Sequence, residues 1–430
     1  MRVRRFRHGG VHLEYREPFT MEPIENAFLP MNASVVLKDS RDGREPILVV
    51  SLGQEVREGQ LLAKSAGKGS SNIHSPIPGI VRRIEKIQTP GGFESTTVLV
   101  SLAGSFSVLG KKPERYLWKS LNKGDLSHIV QEKGIVRVSN GESLYDSIAE
   151  RASKPGFVLV VNALEMDPYR RTEEAILALR PTDVVDGCAI ACRMSSPARI
   201  VLAVDETIEQ GTIDKLKEII AASELDVAIQ SFKRKFPQDM TRQIAVALDI
   251  KDSGSIFVLE PSTLIALHEA IVSNKPHIEQ YVYVGGAAIK RPSILKARIG
   301  APIGDLIEEC GGFCGQPETI IMGGPYTGRA VADLDASVTR TTRAILALTS
   351  TETKSAPERA CVRCGDCIQV CPEGLNPYAM IKFLRAGSLD DAFKAGLDRC
   401  SSCGACAYVC RSRIPLVKDF DEARKHEVDR

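Results

Sequence analysis

The sequence has 430 residues and a net charge of +2, because 56 lysines and arginines nearly balance 54 aspartates and glutamates. No basic stripe with interleaved aromatic residues occurs, so nucleic-acid binding is not expected. No stretch approaches the roughly 18 consecutive apolar residues of a membrane-spanning helix, and the basic N-terminus lacks the apolar core of a secretory signal.

At about 100–200 residues per domain, the chain is long enough for three or four domains. Residues 47–84 show short apolar alternations broken by glycines, which indicates a compact β-sandwich of hairpins. This segment resembles the biotinyl/lipoyl carrier fold, a barrel-sandwich hybrid in which a lysine at a hairpin tip is modified. The tip here carries Lys68 without the flanking methionine of the carrier pattern, so we predict a structural module that is not acylated.

The next part of the chain alternates short apolar runs with longer amphipathic ones, which is typical of a parallel α/β sheet. The candidate strands are 156–163, 198–205, 225–230 and 255–260. The candidate helices are Thr172–Leu179, Thr212–Ala222 and Pro261–Val272. After residue 280 the sequence becomes β-rich again, and the polar stretch 350–360 is typical of a linker.

Eight cysteines beyond the linker form two arrays of identical spacing, C-x2-C-x2-C-x3-C. This is the ligand spacing of bacterial ferredoxins with two 4Fe–4S clusters, in which the fourth cysteine of each array binds the other cluster. The arrays therefore predict crossed ligation. One cluster is assigned Cys361, Cys364, Cys367 and Cys410, and the other Cys371, Cys400, Cys403 and Cys406.

Structural zinc is the alternative for CxxC pairs, but zinc pairs usually come as two separated units. Two adjacent clusters predict an electron relay, and so many metal-binding thiols favour a reducing compartment, the cytoplasm. Four further cysteines are expected to pack in the core as small apolar residues. They are Cys188, Cys192, Cys310 and Cys314.

Taken in order, these segments resemble the C subunit of the Rnf-type ion-translocating electron-transport complex over nearly the whole chain. The resemblance also rests on a GG-x-H element at residues 9–12 and on the stretches IGAPIGDLIEECGG (299–312) and GGPYTG (323–328). A related subunit of the sodium-pumping NADH:quinone reductase lacks the ferredoxin part, so the cysteine arrays argue against that enzyme.

The resemblance implies a multidomain α/β and β fold with four modules. Residues 1–115 are expected to hold the N-terminal segment and the carrier-like β-sandwich, and residues 116–280 a parallel α/β domain similar to the flavoprotein subunit of respiratory complex I. Residues 281–349 are expected to form a β-grasp, soluble-ligand-binding module. Residues 350–430 are expected to form an all-α ferredoxin-like domain with two 4Fe–4S clusters.

The resemblance also implies a peripheral electron-transfer subunit on the cytoplasmic side of the bacterial inner membrane. Its expected partners are the integral and peripheral subunits of the same complex, together with NADH or a soluble carrier such as ferredoxin or flavodoxin. No acid–base catalytic residue is nominated, because the chemistry expected of this chain is one-electron transfer.

Family members that bind flavin mononucleotide (FMN) and NADH carry a turn resembling G-L-G-G-A-G-F-P-T-x-x-K. In residues 136–147 of this chain only Gly141 survives as a glycine, and Glu142 and Asp146 add negative charge where phosphate would lie. A following element, resembling N-G-A-E-x-E-P-Y, is better kept. The candidate residues of a residual FMN/NADH site are Gly141, Asn162, Glu165, Asp167 and Tyr169.

Two interpretations of this α/β domain follow. In the first, a remodelled loop still binds flavin and NADH, and the chain is a flavin-containing NADH dehydrogenase. In the second, which we favour because acidic groups facing phosphate in a desolvated pocket cost free energy, the domain is a scaffold and electrons enter at a cluster. A third possibility, a non-redox assembly scaffold, requires the cysteines to be empty or filled with zinc.

Overall fold

The computed structural model describes residues 3–13, 24–103, 117–353 and 356–428. These residues form β-sandwich, parallel α/β, mixed-sheet and all-α modules in chain order, so the predicted multidomain fold is confirmed. The residue numbers at which the modules meet stay a prediction. Within the described ranges, no helix has both the length and the apolar character needed to cross a lipid bilayer.

The barrel module, residues 32–103, consists of antiparallel strands that turn at glycines, and the two-residue strand β1 (Glu25–Asn26) precedes it. The strands of the module are β2 (Asn32–Val36), β3 (Ile47–Leu48), β4 (Glu55–Val56), β5 (Leu61–Lys64), β6 (Ile73–His74), β7 (Gly79–Gln88) and β8 (Glu94–Leu102). Two sheets, ordered β2-β8-β7-β4 and β3-β5-β6, pack around an apolar core that includes Leu62, Ile77 and Val81. Alternation of apolar residues gives each strand one buried face, which produces the predicted sandwich.

The hairpin tip of the barrel module contacts the neighbouring module. The backbone N–H of Gly69 donates to Asp146 Oδ2 at 2.9 Å, and Lys68 beside it is exposed. A docked tip suits a structural module, and the absence of acylation at Lys68 stays a prediction.

The middle domain, residues 117–278, contains a parallel sheet with helices on both faces. Its elements are α1 (Lys123–Glu132), α2 (Leu144–Ala152), β9 (Val158–Asn162), α3 (Thr172–Leu179), α4 (Pro181–Ser195), β10 (Arg199–Asp205), α5 (Gln210–Ala222), β11 (Val227–Phe232), α6 (Thr241–Ala247), β12 (Ile256–Leu259) and α7 (Pro261–Ser273). The strand order is β11-β10-β9-β12, all parallel. The four predicted strands are confirmed to within two residues at each end.

The β-grasp module follows as a six-stranded mixed sheet with one helix. Its elements are β13 (Glu279–Gly285), β14 (Ser293–Arg298), α8 (Ile303–Glu309), β15 (Thr319–Met322), β16 (Arg329–Val331) and β17 (Ala344–Leu348). The order is β1-β14-β13-β17-β15-β16, and the apolar side of α8 packs on it through Ile303, Leu306 and Ile307. Strand β1 pairs in parallel with β14, so a segment that precedes the barrel completes this sheet.

The cysteine domain is all-α. After α9 (Ser350–Thr353), its helices are α10 (Asp366–Gln369), α11 (Pro377–Arg385), α12 (Leu389–Lys394), α13 (Ala405–Tyr408) and α14 (Leu416–Val428). The apolar side chains of Met380, Ala392 and Phe420 hold α11, α12 and α14 together. Helices α11 and α12 lie between the two cysteine arrays in the sequence.

Candidate functional site: two cysteine groups and the crevice of the middle domain

The structure brings the eight array cysteines into two sets of four. The first group is Cys361, Cys364, Cys367 and Cys410, which line a cavity of about 160 Å³. The second group is Cys371, Cys400, Cys403 and Cys406, which line a cavity of about 20 Å³. Each group takes three cysteines from one array and one from the other, which is the grouping that the spacing predicts. Ligation of a cluster by each group stays a prediction.

The two groups are built by the same backbone turn, repeated in both arrays. Gly365 (φ 81°) and Gly404 (φ 85°) hold the same place in the two arrays, in the left-handed conformation that favours glycine. Helices α10 and α13 begin directly after these glycines. The turn also aims backbone N–H groups at sulfur, as where Arg363 N–H donates to Cys361 Sγ at 3.4 Å. Such hydrogen bonds tune the reduction potential of a cluster.

The donor set fits iron–sulfur cubes rather than single metal ions. A 4Fe–4S cube takes four cysteines spaced around it, whereas zinc draws its ligands toward one point. Across the part of the chain that the structure describes, no three His, Cys, Asp or Glu side chains converge on a position for one metal ion. Burial raises the pKa of the Cys403 and Cys406 thiols, so the charge of bound iron is needed to hold them as thiolates.

The two groups differ in their exposure. Cys371, Cys403 and Cys406 of the second group are only 7–8% exposed, and Cys403 belongs to an apolar cluster shared with the sheet of the middle domain. In the first group, Cys361 and Cys364 are exposed. The second group therefore faces the body of the protein and the first group faces outward.

An N-terminal strap, residues 3–13, runs between the middle domain and the second group. Val11 pairs with Phe236 through N–H···O bonds of 3.0 and 2.9 Å, and Gly10 N–H donates to Val370 O at 2.8 Å. A Cβ at Gly9 would lie 2.5 Å from the carbonyl oxygen of Cys371, and its φ of 68° is left-handed. These contacts give the GG-x-H element a physical role, because only glycine allows the strap this close to a cysteine of the second group.

The GGPYTG stretch links the middle domain to the second group from another side. Tyr326 lies 5.5 Å from Phe236 and 5.4 Å from Tyr408, measured between ring centroids. Asp167 holds this stretch in place by accepting from Tyr326 N–H at 3.3 Å, Thr327 N–H at 3.0 Å and Thr327 Oγ1–H at 2.5 Å. The sequence marked this stretch as distinctive but did not indicate that it connects the middle domain to the second cysteine group.

The candidate flavin residues lie around the carboxyl end of the parallel sheet, where ligands of open α/β sheets bind. Asn162 Nδ2–H donates to Asp239 O at 3.0 Å, and its Oδ1 accepts from Leu164 N–H. Tyr169 O–H donates to Glu352 of α9 at 2.5 Å. Each of these side chains already joins two segments of the chain.

Gly141 and Glu165 are also engaged within the protein. A Cβ at Gly141 would lie 2.6 Å from Cβ of Asp39, so this glycine allows the loop to touch the barrel module. Glu165 Oε2 accepts from Glu173 N–H at 2.8 Å, and Oε1 lies 3.6 Å from Arg170 Nε. Burial raises the pKa of Glu165, and it raises the pKa of Glu173 to about 7. Glu165, Arg170 and Glu173 thus form a buried charged cluster beside the candidate flavin residues.

The loop at residues 136–143 does not fit a phosphate group. Its backbone amides are used internally, with Arg137 N–H on Glu142 O and Gly141 N–H on Arg137 O, both at 2.8 Å. Val138 N–H donates to Thr263 Oγ1 at 3.0 Å. A phosphate cradle needs free amides, and this loop leaves few.

The negative charge of this loop is compensated, which the sequence did not reveal. Arg137 pairs with Glu142 at 2.8 Å and also donates to Val258 O of β12 at 3.1 Å. Asp146 accepts from the barrel module instead of facing a ligand. A neighbouring cavity, lined in part by Ser139 and Arg170, measures about 280 Å³, slightly below the roughly 300–1,000 Å³ of most ligand pockets.

The four remaining cysteines only partly meet the prediction of core packing. Cys188 and Cys310 are buried and Cys192 is half-buried, but Cys314 is exposed. The prediction of core packing is wrong for Cys314, which lies on the surface of the β-grasp module and whose Sγ–H donates to Ala287 O at 3.3 Å.

Four family models match the chain in the order of its modules. The "RnfC Barrel sandwich hybrid domain" matches residues 5–105, and the "Nuo51 FMN-binding domain" matches residues 143–274. The "SLBB domain" matches residues 281–330, and the "4Fe-4S dicluster domain" matches residues 360–414. The second match begins at residue 143, the last residue of the 136–143 loop. The predicted pair of 4Fe–4S clusters is confirmed as the cofactor type of the cysteine domain.

A solved structure shares the fold. An NAD+-reducing [NiFe]-hydrogenase chain in the H2-reduced state superposes with a TM-score of 0.50 at 13% sequence identity, covering 76% of this chain and 66% of that chain. This likeness supports the architecture of the modules alone.

Relatives of known name match nearly the whole chain. The C subunit of the "Ion-translocating oxidoreductase complex" of Rhodobacter capsulatus is 29% identical over 430 residues, 97% of this chain and 82% of the relative. The C subunit of the "Proton-translocating ferredoxin:NAD(+) oxidoreductase complex" of Clostridium ljungdahlii is 28% identical over 379 residues, 86% of this chain and 82% of the relative. Together with the ordered modules, these relatives confirm the resemblance seen in the sequence: the chain is a homologue of the C subunits of Rnf-type ion-translocating oxidoreductase complexes.

Proposed function

We propose that the chain is a peripheral electron-transfer subunit of a membrane-bound, ion-translocating oxidoreductase complex, on the cytoplasmic side of the bacterial inner membrane. The observation that carries this proposal is a buried cysteine group next to an exposed one, within one small domain. When bound, 4Fe–4S clusters supply one-electron redox chemistry. The chain itself supplies thiols, spacing and a dry environment on the side of the second group.

The partners in this proposal are the other subunits of the complex and a soluble electron donor or acceptor. The names of the relatives support both, since one is a subunit of an ion-translocating complex and another belongs to a ferredoxin:NAD+ oxidoreductase. NADH, ferredoxin and flavodoxin are therefore the candidate soluble partners.

For the middle domain we propose a scaffold that does not bind flavin. Asn162, Asp167 and Tyr169 each hold neighbouring segments together, and the amides of the 136–143 loop are occupied. Electrons then enter and leave through the clusters, and a protein carrier is favoured over NADH. The match to an FMN-binding family model supports the alternative, a flavin-containing NADH dehydrogenase.

Anaerobic stopped-flow spectroscopy tests this proposal. Protein reconstituted with iron and sulfide is mixed either with a reduced ferredoxin or with NADH, each with and without added FMN, while cluster absorbance is followed. We expect the ferredoxin to bleach the clusters and NADH to leave them oxidised under both conditions. Rapid bleaching by NADH that depends on FMN would instead establish the dehydrogenase.

A further inference from the structure

The surface around the first cysteine group combines exposed apolar side chains with exposed arginines. We define this first-group face as Arg359, Val362, Arg363, Ile368, Arg411 and Arg413. Val362 is 66% exposed and Ile368 is 39% exposed, so together they give the face a small apolar centre. Both line the cavity of the first group, so the apolar centre of the face lies directly over the predicted cluster.

The charges around this apolar centre are mainly positive. Residues 356–368 and 407–415 contain four arginines and two acidic residues. Asp366 pairs with Arg411 at 3.1 Å, and Glu358 pairs with Arg385. Among the described residues, Arg359, Arg363 and Arg413 form no ion pair, and all three are exposed. The side chains of the face therefore carry a net positive charge, apart from the charge of a bound cluster.

The surface beside the second group has the opposite character. A groove there is bordered by Ser401 and Ser402 and includes Asp333, Asp335 and Glu422, opposed by Arg329 and Lys418. A negatively charged partner is thus attracted to the first group and repelled from the groove. Opposite charges speed association and orient partners before they touch.

We propose that the first-group face is the docking site of a small acidic electron-carrier protein with its own iron–sulfur centre. The proposal rests on the relay function proposed above. One electron passes from the reduced centre of the carrier to the oxidised cluster of the first group, without any bond or proton changing place. An exposed cysteine pair, Cys361 and Cys364, brings this cluster close to the surface. A small apolar centre within a charged rim suits the transient interfaces, below about 1,200 Å², of electron-transfer pairs.

Charge reversal tests the docking site. Arg363→Glu is compared with Lys215→Glu, which makes the same charge change on the exposed face of α5 in the middle domain. Arg359→Glu is a second variant, because Arg363 has a left-handed φ of 56° and its replacement could disturb the turn. Iron content and the spectrum of each variant verify that its clusters are intact.

The probe is an acidic two-cluster ferredoxin, photoreduced and freed from excess reductant. At low salt, we expect the second-order rate of electron transfer from the ferredoxin to fall about tenfold for both arginine variants and to stay unchanged for Lys215→Glu. This difference between the variants should disappear at about 1 M salt, which screens the charges. Equilibrium binding of oxidised ferredoxin to oxidised protein should weaken about tenfold in parallel.

Equal rates in Arg363→Glu, Arg359→Glu and Lys215→Glu, with rapid reduction of the unaltered protein, would overturn the docking site and leave the relay standing. If the ferredoxin fails to reduce the unaltered protein at all, the proposed relay from such a carrier fails first. Stronger binding by the arginine variants would point to a basic partner and would also reject the proposal.

Discussion

Cys371→Ser is expected to remove the cluster of the second group, although this cysteine belongs to the first array. The fourth cysteine of each array lines the cavity of the other array's first three, so its loss leaves that cluster with three thiolates. The matched comparison uses cysteines whose group is not in question. Cys371→Ser should resemble Cys403→Ser, and Cys410→Ser should resemble Cys364→Ser, in the electron paramagnetic resonance spectrum of the reduced protein.

Each of these variants is expected to lose up to half of its bound iron, about four of about eight atoms per chain. The remaining signal also identifies the group, because the exposed cluster should react faster with a chelator than the buried one. If Cys371→Ser instead matches Cys364→Ser, ligation follows the arrays and the crossed assignment is wrong. Serine is similar in size to cysteine, so misfolding of the turn itself is not the expected cause of iron loss.

Asp167→Ala is expected to destabilise the contact between the middle domain and the GGPYTG stretch by about 3 kcal/mol, because it removes three hydrogen bonds that contribute about 1 kcal/mol each. The carboxylate is fully buried and accepts three hydrogen bonds from Tyr326 and Thr327. The readouts are the thermal unfolding midpoint and hydrogen exchange of the backbone amides of Tyr326 and Thr327.

Asp167→Asn is the control, because it keeps one acceptor oxygen and the shape of the side chain. We expect it to lie between the unaltered protein and Asp167→Ala. A flavin-binding role makes a different prediction, namely that Asp167→Ala lowers flavin content while the unfolding midpoint and the exchange of these amides stay the same. That result would remove the structural role assigned to Asp167.

The regular elements of the middle domain could be predicted because their signals are local. Buried parallel strands are continuous apolar runs, so 156–163 indicated β9, and the helix predicted at Thr172–Leu179 has the observed bounds. Strand β1 had no such signal. Two residues, Glu25 and Asn26, become a strand only because the edge of β14 is available to them, and this depends on how distant modules pack.

The cysteine groups and the candidate flavin crevice also differ in how far the sequence predicts them. The cysteine groups follow from spacing within two short arrays, and the structure brings together the sets that the spacing predicts. Which group faces solvent depends on the strap and on Tyr326, both distant in sequence. At the candidate flavin crevice, the motif predicted residues such as Asn162 but not the partners that they contact. The sequence could show the lost glycines but not that Arg137 pairs with Glu142.

The most direct test of the central claim is iron and acid-labile sulfide analysis of the full chain, purified without oxygen, together with electron paramagnetic resonance after reduction. We predict about eight irons and eight sulfides per chain, with a spectrum broadened by magnetic coupling between two neighbouring clusters. A colourless protein that contains zinc or no metal would contradict the account.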